Sequence, residues 1–213
     1  MSEKANGARG ASARTRRRKV FWDYYLPWIL GIALAGGVLL WLLIDAYGSP
    51  KPDYRIGYAG AQSLSDEAVA ALEAAAERQG EDLNGDGRVL VELDQYLLSY
   101  TGDYDSVYTQ MAGISALSSD LKDVDFVCFI LEDADSFASS SHAMLAPDGS
   151  EPAAADTGSA LSVDFASVSA LAQADLPAAD AAVLADCRVG LVRNPSAKTG
   201  RTEADDALWQ NLL

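Results

Sequence analysis

Histidine occurs once in this chain of 213 residues, as His142, and cysteine twice, as Cys128 and Cys187. A Ser-His-Asp or Cys-His relay therefore has a single candidate base. That base follows a run of serines (139–141) in a loop-like segment, and adjacency in sequence does not make a triad. The two cysteines stand too far apart for the paired spacing of a zinc site. Each sits in an apolar run, VDFVCFIL or CRVGLV, where a free thiol packs as a small hydrophobe. A disulfide between them is the alternative, permitted outside the cytoplasm. No GxxxxGK[ST] phosphate loop occurs, and GYAGA at 57–61 lacks the glycine spacing of dinucleotide sites. Basic residues are scarce over most of the chain: from position 48 onward nine face 28 acidic ones. Phosphates would be repelled from such a region, which excludes nucleic acid as its partner.

The basic residues that do occur are segregated. Seven of the 16 fall in the first 24 positions, and an uncharged run of 19 residues follows, LPWILGIALAGGVLLWLLI at 26–44. A helix needs roughly 20 apolar residues to cross a bilayer. Trp28 and Trp41, with Tyr24, Tyr25 and Tyr47, suit the interfacial belts. The expectation is an uncleaved signal-anchor in the cell membrane, with the lipid bilayer as a partner. It comprises a basic cytoplasmic tail (1–24), a transmembrane helix (25–46), a linker (47–53) and an acidic extracytoplasmic domain (54–213). A cleavable signal ending near Gly48 competes, although the apolar core of such signals is shorter, about 7–15 residues. A buried soluble helix would show a polar face, and none is present.

Within 54–213 the hydrophobic pattern switches between two periods. Tyr54, Ile56 and Tyr58 alternate as a strand. Ser65, followed by Asp66 and Glu67, caps a helix reaching about Arg78, with Leu64 and Val69 as a hydrophobic staple. Val89, Val91 and Leu93 mark a second strand. A second helix starts at Asp103 or Asp105 and places Val107, Met111, Ile114, Leu117 and Leu121 on one face. The run at 124–131 reads as a strand buried on both sides. Later signals are weaker: a short helix near Asp135, a surface loop at 139–159, a stretch at 160–172 ambiguous between strand and helix, and a strand at 187–192. A closing helix carries a Thr202/Asp205 capping box, with Trp209 pinning it to the body. This order predicts, behind the transmembrane helix, a small three-layer α/β domain with a mostly parallel or mixed sheet of about four to five strands.

One local motif points to chemistry. Asp82-Leu83-Asn84-Gly85-Asp86-Gly87-Arg88 sets oxygen side chains at positions 1, 3 and 5, a glycine at 6, and the backbone carbonyl of Arg88 at 7. It resembles the first half of an EF-hand or dockerin-type calcium loop, which implies Ca2+ held by Asp82, Asn84, Asp86 and Arg88 as a brace. Position 12 departs from that pattern: Leu93 stands where a bidentate acid belongs, flanked by Glu92 and Asp94. A tight Asn-Gly/Asp-Gly turn explains the same residues. Asp133 and Asp135, just after the third strand, are the acids best placed for a site, since ligands gather beyond the carboxyl ends of strands in open α/β sheets.

The first strand YRIGYAG, a helix, a D-x-N-G-D-G turn, a second strand, a helix and the strand DFVCFILED resemble one lobe of an extracytoplasmic solute-binding protein. The likeness covers about 54–135, and the second lobe is missing. The chain is also similar to bacterial proteins with an N-terminal membrane anchor and a DVNGDG-like turn, which implies no activity. The expected function is a non-enzymatic, membrane-anchored module that binds a protein or small-molecule partner outside the membrane, calcium-stabilised through its loop. An acid- or metal-dependent hydrolase and a structural envelope component are the alternatives.

Overall fold

The computed structural model describes residues 26–48, 51–98, 104–141, 143–193 and 199–213. The basic tail (1–24), His142 and Asp103 lie outside the described residues, as does the side chain of Asp105. The chain divides into two units, Met1–Pro50 and Lys51–Leu213. The first holds α1 (Leu26–Gly48), a continuous helix of 23 residues whose described side chains are all exposed. The expected fold is corrected here. Among the described residues no helix is long and apolar enough to cross a membrane. The expected transmembrane helix at 25–46 is overturned accordingly.

In the second unit five strands form one mixed sheet in the order β2-β1-β3-β5-β4. They are β1 (Tyr54–Gly60), β2 (Val91–Leu97), β3 (Cys128–Leu131), β4 (Ser162–Asp164) and β5 (Arg188–Leu191). β1 pairs in parallel with β2 on one side and β3 on the other. The crossovers are α2 (Asp66–Glu77) and α3 (Tyr104–Asp123). The chain leaves β1 toward β2, then passes back over β1 to β3, so right-handed connections put these helices on opposite faces. α4 (Ala134–Ser141) follows β3. A 3-10 turn (Phe165–Ser167), α5 (Ser169–Ala172) and α6 (Ala178–Ala185) link β4 to β5, which runs antiparallel to both its neighbours. α7 (Thr199–Leu212) closes the chain.

The two-residue period of the strands divides the core. Tyr54, Ile56, Tyr58, Val91, Leu93, Ile130, Val189 and Leu191 pack against Leu72 of α2 and against Leu171, Leu184, Leu208, Trp209 and Leu212. Ala59, Tyr96, Phe129 and Leu131 belong to a second cluster with Leu117 and Leu121 of α3 and Phe137 of α4. Helices thus cover both faces of the sheet. Gly57 is required by this packing, because a Cβ there would run into the buried Phe129 ring.

Local signals hold where they are strongest. Ser65 caps α2, its hydroxyl accepting from the Ala68 amide at 3.2 Å. Other expectations shift. Met111 and Ile114 are 64% and 48% exposed, and Ile114 borders a cleft. α7 begins at Thr199, so Thr202 lies inside the helix and does not start it. Part of the expected surface loop is core: Met144 and Leu145 are buried, and Met144 bridges to Val192. The cysteines are free and buried. Register explains this, since Cys128 faces Leu191 at one end of the β3–β5 pair and Cys187 precedes Arg188 at the other.

Candidate functional site

The loop chosen as a calcium site is closed by its own amides. Asp82 accepts from the Gly85 and Gly87 amides at 2.6 and 2.7 Å, Asn84 from Asp86 at 2.9 Å, and Asp86 from Arg88 at 2.9 Å. Gly85 and Gly87 adopt φ of 76° and 85°, the left-handed region that glycine supplies at no steric cost. The Gly87 and Gly85 amides hold the Asp82 carboxyl below the usual carboxylate range. The acids flanking the expected twelfth position are engaged elsewhere: Glu92 and Asp94 pair with Arg55 at 2.5 and 2.9 Å. Among the described residues no group of three or more His, Cys, Asp or Glu is placed to hold a metal ion. The carboxylate that does reach the loop is Asp53, expected in the linker. It is 1% exposed and accepts from the amides of Leu83, Asn84 and Leu90 at 3.0, 3.1 and 2.9 Å.

A second place gathers more chemistry. β1 and β3 are adjacent and parallel, and the connections leaving their carboxyl ends diverge to opposite sides, which is the switch point where open α/β sheets bind ligands. A cleft of about 610 Å³ opens there. Gly60, Ala61, Glu132 and Asp133 form its strand-end side, with Ile114, Leu117 and Leu121 of α3 and Phe137 of α4 as apolar walls. Gln110, Ser118, Ser136, Ser140 and Ser141 add polar groups. Asp133 caps α4, accepting from the Ser136 amide and hydroxyl at 2.9 and 2.7 Å, and these bonds hold its carboxyl below the usual range. Asp135 does not join it. Its carboxylate accepts from the Ser159 amide at 2.9 Å and borders a separate cavity.

The loop between β1 and α2 is held by three side chains from separate parts of the chain. Glu132 Oε2 accepts from the Ala61 amide at 2.5 Å. Gln95 of β2 accepts from the Leu64 amide at 2.8 Å. Asp180 of α6 accepts from the Ser65 amide and hydroxyl at 3.1 and 2.7 Å. None of the three stood out in the sequence as a site residue. Glu132 alone had a readable signal, as the first residue beyond an apolar strand. The Ser65 hydroxyl and amide hold the Asp180 carboxyl below its ordinary range. A depressed carboxyl contributes stability above its unfolded pKa, about 3.9 for aspartate, and that stability is lost as pH falls through the folded value. Asp180→Asn should therefore lower Tm at pH 7, and the gap to wild type should shrink below about pH 4. Thermal melts at both pH values check this; a gap of equal size in acid would refute it.

No protein family, curated protein or solved structure matches this chain.

Proposed function

We propose that the Lys51–Leu213 unit is a binding module that takes a small molecule in the switch-point cleft. The observation that carries this reading is the β1–α2 loop, tied from β2, α6 and the end of β3 before any ligand arrives. A wall fixed in advance loses little conformational freedom on binding, so more of the contact energy appears as affinity. The mix of apolar walls with a few convergent polar groups is the usual make-up of small-molecule sites. Binding is favoured over turnover because Asp133, one of the two acids lining the cleft, is held as a carboxylate by its capping bonds and is a poor proton donor near neutral pH.

Ile114 lines the cleft and is 48% exposed, so Ile114→Trp fills the cleft with little demand on the core. Ligand-observed NMR of a fragment mixture against the full-length chain should find binders whose signal is lost in Ile114→Trp. If every fragment that binds wild type binds this variant equally well, the cleft is not the site.

A further inference from the structure

The chemistry of the cleft narrows its ligand, on the premise that the cleft is the binding site. Among its described lining residues the ionisable side chains are two carboxylates, Glu132 and Asp133, with no basic group beside them. The described salt bridges join Arg55 to Glu92 and Asp94, Arg188 to Asp164 and Arg193 to Asp206. None reaches Glu132, whose carboxylate accepts the Ala61 amide and has lone pairs to spare. An anion entering here would meet two like charges.

A Cβ on Gly60 would lie 3.1 Å from Glu132 Oε2, so this carboxylate stands beside Gly60 at the strand-end side of the cleft. The Ala61 amide uses one of its lone pairs, and a wholly apolar ligand would strip water from the rest without replacing it, at a cost.

We infer that the cleft takes an amine: a ligand with a protonated ammonium group on an apolar body. The ammonium sits at the Gly60 end and donates to Glu132. The body lies against Ile114, Leu117 and Phe137.

The probes are n-hexylammonium, hexan-1-ol and hexanoate, which share a body and differ in charge. They are titrated by calorimetry into the full-length wild type, Glu132→Gln and Ile114→Trp, each checked for an unchanged melt. Hexylammonium should bind about tenfold tighter than the alcohol, the scale of one charge-assisted hydrogen bond, and hexanoate weakest. Glu132→Gln, which keeps an acceptor for the Ala61 amide, should erase that preference and leave the alcohol unchanged. Hexanoate or hexan-1-ol binding as tightly as the amine, or a preference that survives Glu132→Gln, overturns the amine assignment while leaving the cleft standing. If Ile114→Trp blocks none of the probes, both the assignment and the cleft fall.

Discussion

Trp209→Ala should cost about 3–5 kcal/mol of folding stability, the range for truncating a buried aromatic to alanine. Trp209 is 1% exposed and lies in the cluster with Leu208, Leu212 and the α2 face of the sheet. Its indole N–H donates to the Pro147 carbonyl at 2.8 Å, a bond that spans 62 positions. The alanine variant empties a large volume and also leaves that carbonyl without its donor. Trp209→Phe separates the two effects, because it keeps most of the apolar contact and loses the hydrogen bond, for a cost nearer about 1 kcal/mol plus some cavity. Urea unfolding of the full-length chain, followed by circular dichroism, measures both. A loss under about 1 kcal/mol for Trp209→Ala would mean that α7 is not an integral part of the core.

Asp53→Ala should cost roughly 3 kcal/mol or more, since each buried donor left without an acceptor costs about 1–3 kcal/mol and three lose theirs. The Leu83, Asn84 and Leu90 amides all rely on this one carboxylate. Asp53→Asn should cost less, because its amide keeps one acceptor oxygen, although its NH2 then faces an amide donor. A variant within about 0.5 kcal/mol of wild type, the usual range for surface changes, would place Asp53 in the linker after all. Urea unfolding measures both Asp53 variants, and thermal melts of the wild type in millimolar calcium test the metal expectation. A rise in Tm that Asp82→Ala abolishes would establish calcium at the loop. No rise would leave the turn as the role of Asp82, Asn84 and Asp86.

The legible parts of this protein are those written in local order. The Tyr54, Ile56 and Tyr58 alternation and the Ser65 cap depend on neighbours within a few positions and appear where the sequence places them, whereas of the apolar run at 124–131 only Cys128–Leu131 is strand. The place of Asp133 at a strand-end cleft was also readable, because a strand end in an α/β order predicts where clefts open. The other cleft residues were not. Glu132 meets Ala61 across 71 positions, Gln95 meets Leu64 across 31, and Asp180 meets Ser65 across 115. No spacing rule encodes such meetings. The D-x-N-G-D-G motif shows the opposite case, a strong local pattern whose oxygens turn inward to the loop's own amides.

By itself the sequence determined the acidic character of residues 48–213, the α/β order and the Ser65 cap, because composition and short-range periodicity need no partner from elsewhere in the chain. Tertiary structure alone decided that β5 inserts antiparallel between β3 and β4, that Asp133 and Asp135 part company, and that the buried Tyr58 hydroxyl has no hydrogen-bond partner among the described residues. Those outcomes depend on which distant surfaces bury one another, a choice made by packing across the whole sheet, whereas a strand or a cap is set by a handful of adjacent residues.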